Sequence, residues 1–285
     1  MARIAVTGAT GNVGSVLVRL LAETGSDVTA IARRLPVADH EPAPGSVRPV
    51  AADLADPATL AGALEGVYAL FLLVAGDDPH ALLDVAKRSG VGHAVLLSSQ
   101  GARTRPARYP HPVAFEDAVR SSGLGWTVLR PGGFATNAFQ WVPGVRSART
   151  VEAPFVDVAL PVIDPDDIAA AAARVLTDVV GGGTGSTHEG ASYTLTGPAA
   201  VSPRDQAAAI ASAIGDDVRV VELDRDAALA RMSAVMPPAV AAATLDLLGE
   251  PTADEVAVNR DAARLLGRPA SSFADWATRH AGAFR

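Results

Sequence analysis

Thr7-Gly8-Ala9-Thr10-Gly11-Asn12-Val13-Gly14 joins a short apolar run, Ile4 to Thr7, to a stretch from Asn12 to Glu23 with apolar residues at helical spacing. A strand, a glycine-rich turn and a helix in that order predict a βα unit with a ligand at the turn. The spacing is GxxGxxG, one residue longer between the first two glycines than GxGxxG, and the physics is the same. Gly8 permits the tight turn, Gly11 lets a diphosphate approach the backbone, and Gly14 lets helix and strand pack closely. The N–H groups of Gly11, Asn12 and Val13, at the positive end of the helix, would hold the phosphates, with Thr10 beside them. The bland alternative is an ordinary tight turn.

The first half then alternates between two periods. Strands are expected at Asp27–Ala32, Val47–Ala51, Val67–Val74, His93–Ser98 and Trp126–Arg130. Helices are expected at Pro57–Leu64, with Asp56 as N-cap, at Pro79–Ser89 and at Pro112–Ser121. This predicts an α/β fold, a Rossmann-type doubly wound parallel sheet with right-handed crossovers. After Pro131 the pattern changes. Gly132–Thr150 reads as irregular, Val156–Ile163 as a strand, and Asp164 as the cap of a helix running to about Asp178. Gly181–Gly190 reads as a glycine-rich loop in which His188 and Glu189 are solvated. Ala191–Thr196 and Val218–Leu223 read as strands, Ser202-Pro203-Arg204-Asp205 as a helix start, and the remainder as mostly helical. The expected division is residues 1–150 as the dinucleotide-binding domain. Residues 151–285 form a smaller, mostly helical lobe interleaved with the last sheet elements.

Composition narrows the chemistry. The chain has no cysteine, which removes disulfides, thiolate nucleophiles and cysteine-ligated metals. Its net charge of −7 argues against a nucleic-acid partner. No apolar run is long enough for a membrane span and no signal peptide is visible, so a cytoplasmic location is expected. Asp164, Asp166 and Asp167 read as helix capping rather than as a metal site.

The strand Val28–Ala32 ends in Arg33-Arg34, where an NAD-selective site usually carries Asp or Glu. Two guanidinium groups suit a 2′-phosphate, so NADPH (NADP+) is the expected cofactor; a solvated basic pair is the alternative. Asp53 and Leu54, after the third strand, suit an adenine amino group and ring, or else a simple turn. Val74 and Ala75, ending the fourth strand, are counted with the cofactor contacts.

Together with Thr7–Gly14 and Asp53-Leu54, the stretches Leu96-Leu-Ser-Ser99 and Leu129-Arg-Pro-Gly-Gly-Phe134 carry a resemblance to the NmrA-like atypical short-chain dehydrogenase/reductases. So do Ala159–Ile168, Tyr193–Pro198 and Leu265–Pro269. The resemblance spans nearly the whole chain. It implies a Rossmann domain with a smaller C-terminal lobe and a cleft between them. Members include NAD(P)H-dependent quinone reductases, other small-molecule reductases and redox sensors that do not turn the cofactor over.

The wider superfamily uses a tyrosine with a lysine four residues later. Here the only lysine is Lys87, and four residues after Tyr109 stands Val113, so that pair cannot form. The remaining candidates for proton transfer are His111, Ser98 and Tyr109. His111 is placed just before its helix, and a solvated loop histidine is the alternative. Ser98 ends a strand at the carboxyl edge and would contact nicotinamide or substrate, or else satisfy turn backbone. Pro131, Gly133 and Phe134 follow strand six and would approach the nicotinamide. Phe134, Asn137, Gln140 and Trp141 are the substrate-binding candidates, suited to a flat molecule; the alternative for Phe139 and Trp141 is core packing. The expected function is NADPH-dependent hydride transfer to a small flat carbonyl or quinone-like substrate without a tyrosine–lysine pair. A non-catalytic sensor acting through a protein partner is the alternative, and a homo-oligomer is left open.

Overall fold

The computed structural model describes residues 3–34, 46–182 and 185–285. In chain order the elements to the end of the sheet's sixth strand are β1 (Arg3–Thr7), α1 (Gly14–Glu23), β2 (Val28–Ala32), β3 (Val47–Ala51), β4 (Val67–Leu73), α2 (Pro79–Arg88), β5 (His93–Leu97), α3 (Gln100–Thr104), α4 (Pro110–Ser121) and β6 (Gly125–Pro131). There follow α5 (Val142–Ala148), β7 (Thr150–Ala153), α6 (Pro165–Gly182), β8 (Ala191–Leu195), α7 (Pro203–Ile214) and β9 (Arg219–Glu222), with further short helices from Arg225 to Phe284. Two units emerge. One comprises Met1–Pro131, Pro165–Thr194 and Arg264–Gly267, the other Gly132–Asp164, Leu195–Ala263 and Arg268–Arg285. Along the chain the segments of the two units alternate.

In the first unit the strands lie in the order β3-β2-β1-β4-β5-β6-β8. The pairings from β3 to β6 are parallel, with Ile4 opposite Val28 and Leu70 opposite Ala94. This is the doubly wound order expected of alternating β and α segments. The central strands are apolar through Ile4–Val6, Ala69–Leu73 and Ala94–Leu97 because helices cover both faces. On one face Leu82, Leu83 and Ala86 of α2 and Phe115, Ala118 and Val119 of α4 pack on Leu70, Leu72, Ala94 and Leu96. On the other, α6 packs against α1 and over β4 and β5. Thr7 stitches β1 to β4: its Oγ1 donates to Phe71 O at 2.9 Å and accepts from Leu73 N at 3.0 Å.

Asp56 does cap a helical turn with Pro57 at its first position, but the turn is a 3-10 segment ending at Leu60. The helix expected from Pro112 starts at Pro110, so both prolines fall in its first turn, where a missing N–H costs nothing. His188 is buried, not solvated. Its Nδ1 pairs with Tyr193 OH at 2.8 Å and its Nε2 with Asp178 at 3.0 Å. Glu189 is exposed as expected. Gly181 and Gly182 end α6, and Gly183 lies outside the described residues.

A second buried histidine sits at the amino end of the sheet. Thr127 Oγ1 donates to His188 O at 2.7 Å, so its one hydrogen is spent and it accepts from His93 Nε2 at 2.9 Å. His93 is thereby held neutral with its proton on Nε2. Burial pushes it down to about 4, helped by His188 and opposed by Glu189. Unfolded, the ring titrates near its ordinary 6.5, so between these values the unfolded chain binds the extra proton and stability is lost as the pH is lowered. The full loss is on the order of 3 kcal/mol. We expect the melting temperature to fall from pH 6.5 to 4, and His93→Gln to flatten that segment of the curve. An unchanged slope in the variant would refute the assignment.

In the second unit, residues 132–150 are not irregular. Ala135–Trp141 forms a 3-10 segment that runs into α5. Val156–Ile163 is not a strand: only Leu160 bridges Val201 and Ile163 bridges Phe134. The apolar residues there are partly spent on burial, with Val156 and Ile163 in the core, and Pro161 cannot donate to a ladder. The two strands of this unit, β7 and β9, pair in parallel. Its core gathers Trp141, Val145, Val151, Ile210, Phe273, Trp276 and Phe284. The helix start at Ser202 carries the full capping box with Asp205. Among the described residues no helix is long and apolar enough to cross a membrane.

Candidate cofactor and reduction site

The glycine-rich turn lies at the carboxyl end of β1. Gly8 has φ +66°, and a Cβ there would come within 2.2 Å of Leu73 Cδ1. A Cβ on Gly14 would come within 2.1 Å of Gly8 O, a backbone atom, so the close packing of turn and helix requires glycine. Gly11, Asn12 and Thr10 are exposed, whereas Val13 is 5% exposed and belongs to the core. The N–H of Gly11 does not face outward, since it donates to Gly8 O at 2.9 Å and closes the turn. Val13, the N-cap of α1, makes no side-chain cap bond and no acid stands in the first turn, whereas Asp78 caps α2 and Ser202 caps α7. A ten-residue helix whose N-cap Val13 makes no side-chain bond to the first turn fits a diphosphate.

Arg33 and Arg34 follow β2 directly and are exposed. Asp53 shapes a turn: its Oδ1 accepts from Ala55 N and its N–H donates to Thr59 Oγ1, each at 3.0 Å. That turn sets Leu54 against Gly76, where a Cβ would meet Leu54 O at 2.3 Å. Val74 and Ala75 are half-buried just before Gly76, whose φ is +84°. The residue that sequence reasoning missed here is Gly76 itself. Its signal was a glycine three positions beyond a fully covered strand, in the loop before Asp78.

His111 reaches this loop. Its Nε2 donates to Gly76 O at 2.8 Å, and its ring stands edge-on to Phe115 at 5.1 Å. A carbonyl only accepts, so the proton on Nε2 is fixed, and any proton the ring exchanges is carried on Nδ1. The ring is exposed, in the first turn of α4 rather than ahead of it. Tyr109 precedes that helix with its ring laid against Gly101, where a Cβ would lie 2.6 Å away. Lys87 is exposed on α2 and donates to Ser122 O.

Ser98 lies in a buried ionic cluster that the sequence did not reveal. Its Oγ donates to Glu116 Oε1 at 2.7 Å. Arg130 grips the same carboxylate with Nε, at 2.9 Å, and Nη2, and Arg120 adds a bond at 2.7 Å. The Glu116 side chain is 4% exposed. Burial favours its neutral form, yet the bonds from Arg130, Ser98 and Arg120, with the charge of Arg130, outweigh it and hold the carboxyl down at about 2. Ser99 caps α3 by accepting from Gly101 N.

After β6 the chain passes through buried Pro131 into the second unit. Gly133 is exposed and accepts from Ile163 N at 2.8 Å, and Phe134 is half-buried and extended. Asn137 and Gln140 are exposed. Trp141 is 8% exposed within the core, and Phe139 packs on Trp276 at 5.0 Å. These two rings are spent on packing. Asp164 pairs with Arg279, and among the described residues no three or more acidic or histidine side chains cluster as metal ligands.

Residues 8–179 match the model of a family described as NAD(P)H-binding. The chain belongs to the NAD(P)H-binding family. A (4-alkanoyl-5-oxo-2,5-dihydrofuran-3-yl)methyl phosphate reductase of Streptomyces griseus is 37% identical over 99% of both chains. An NAD(P)H azoreductase of Xenophilus azovorans is 34% identical, again over 99% of each. The crystal structure of the NADPH-dependent quinone oxidoreductase QOR2 of Escherichia coli superposes with a TM-score of 0.76 at 27% identity. It spans 97% of this chain and 98% of its own. For this NAD(P)H-binding protein, the NmrA-like resemblance drawn from the motifs and the family match agree.

Proposed function

We propose that this NAD(P)H-dependent reductase uses NADPH to reduce a small, flat, conjugated acceptor and does so without a tyrosine–lysine pair. The observation that carries the reading is the glycine turn at the start of α1, where the N-cap Val13 offers no side-chain bond to the first turn. Its backbone holds the diphosphate, with Thr10, Gly11 and Asn12 facing it, and Arg33 and Arg34 take the 2′-phosphate. Asp53, Leu54, Val74 and Ala75 flank the adenosine. Bound NADPH supplies the hydride. Phe134, Asn137 and Gln140 are the residues offered to substrate.

The relatives act on an acyl-substituted dihydrofuranone, an azo compound and a quinone. All three are electron-poor π systems. Their negative charge after hydride addition is delocalised, so no strong acid is needed at the moment of transfer. The proton comes from water for a quinone. For an enone it comes from His111, whose Nε2 stays on Gly76 while Nδ1 donates.

The test follows NADPH oxidation against a quinone, an azo dye, a conjugated enone and an isolated ketone. The first three are expected to be reduced and the ketone not. His111→Asn should slow the enone at least about tenfold and leave the quinone within about twofold, the usual range of a general-acid contribution being larger still. Tight NADPH binding with no turnover of any acceptor would refute the reading and favour a redox sensor.

A further inference from the structure

Building on the reading above, we infer that Ser98 serves the nicotinamide half of the dinucleotide as a hydrogen-bond acceptor, its own hydrogen being held by Glu116. Ser98 directly follows β5, at the carboxyl edge of the sheet. A dinucleotide has two halves joined by its diphosphate. With the diphosphate at β1 and the adenosine ribose read from β2, the other half extends over β4 and β5, the strands on the opposite side of β1. Two strand spacings, about 10 Å, separate β1 from β5.

The cluster fixes what Ser98 can offer. Glu116 is ionised and can only accept, so the 2.7 Å bond is donated by Ser98. A hydroxyl has one hydrogen and two lone pairs. Once the hydrogen is committed, the oxygen can accept but cannot protonate a substrate. The group that complements it is an N–H donor, and the nicotinamide carboxamide carries one. Arg130, bound through two nitrogens, and Arg120 hold Glu116 in place, and α4, which carries Glu116, also carries His111. Glu116 is therefore a positioning residue, and its charge sets the polarity of Ser98.

The test is calorimetric titration of three probes: NADP+, its 3-acetylpyridine analogue, in which a methyl replaces the amide nitrogen, and 2′,5′-ADP, which lacks the nicotinamide half. The native protein should prefer NADP+ over the analogue by about fivefold, the worth of one hydrogen bond. Ser98→Ala should weaken NADP+ by about that factor and leave the analogue and 2′,5′-ADP unchanged, erasing the preference. Glu116→Gln should erode the same preference. Ser98→Ala deletes a single oxygen and decides the question even if Glu116→Gln does not fold. Three results overturn the inference: no preference in the native protein, a preference that survives Ser98→Ala, or a parallel loss of 2′,5′-ADP affinity in that variant, which would mark a structural role. Failure of the native protein to bind any probe would instead overturn the cofactor assignment beneath it.

Discussion

Gly11→Ala is expected to leave the fold intact and abolish useful NADPH binding, whereas Gly14→Ala is expected to damage both. The two glycines lie three residues apart in one turn, but what a methyl group would meet differs. At Gly14 the added Cβ would sit 2.1 Å from Gly8 O and 2.7 Å from Gly8 C. Those are backbone atoms of the same turn, so α1 must move away from β1. Overpacking of this kind typically costs about 1–3 kcal/mol, and the phosphate-binding amides move with the helix. At Gly11 the only close atom is Gly8 O at 3.3 Å, which has to give by only a few tenths of an ångström, and φ lies outside the left-handed range. The methyl would project into the exposed space the diphosphate is assigned. Loss of two charge-assisted bonds corresponds to roughly a hundredfold or more in affinity. Thermal denaturation and calorimetric titration separate the cases. A Gly11→Ala protein that binds NADPH as the native chain does would place the diphosphate elsewhere.

The fold was legible because its determinants are local. Apolar runs of strand length, Asp56 before Pro57 and the Ser202–Asp205 box each act within a few residues. The glycine turn was legible for the same reason. What escaped were arrangements made by distant partners. Glu116 reads in sequence as one acid on a helix, yet its partners Ser98 and Arg130 lie 18 and 14 residues away. Nothing in either neighbourhood announces the pairing. His188 looked solvated because it sits among glycines, and only the fold brings Asp178 and Tyr193 to it. Val156–Ile163 failed in the opposite direction. Its apolar pattern was real, but a pattern reports burial and not which carbonyl each N–H will meet. The aromatic cluster left two readings open, and partners far along the chain favour packing: Phe139 meets Trp276 and Phe284, and Trp141 lies in the same core.

The paired arginines carry the second large effect. Replacing Arg33 and Arg34 together with alanine is expected to weaken NADPH by roughly tenfold to a hundredfold and NADH by no more than about twofold. The physical basis is position and charge. Both residues follow β2 at the same sheet edge as the glycine turn, and both are exposed, so neither is needed for packing. In sequence β2 is followed directly by the two arginines and not by a carboxylate that would accept a ribose hydroxyl, and the net charge of −7 makes a local cationic pair the more necessary for a ligand with an extra phosphate. A guanidinium fork meets a phosphate through two bonds, whereas a free 2′-hydroxyl gains little from it. Because the contact is exposed, it should also be screened: raising the salt concentration should erode the native preference for NADPH and leave the variant nearly indifferent. Equal losses for the two dinucleotides would move the role of the pair to the diphosphate. Unchanged affinity for both would mean that the 2′-phosphate is read from residues other than these.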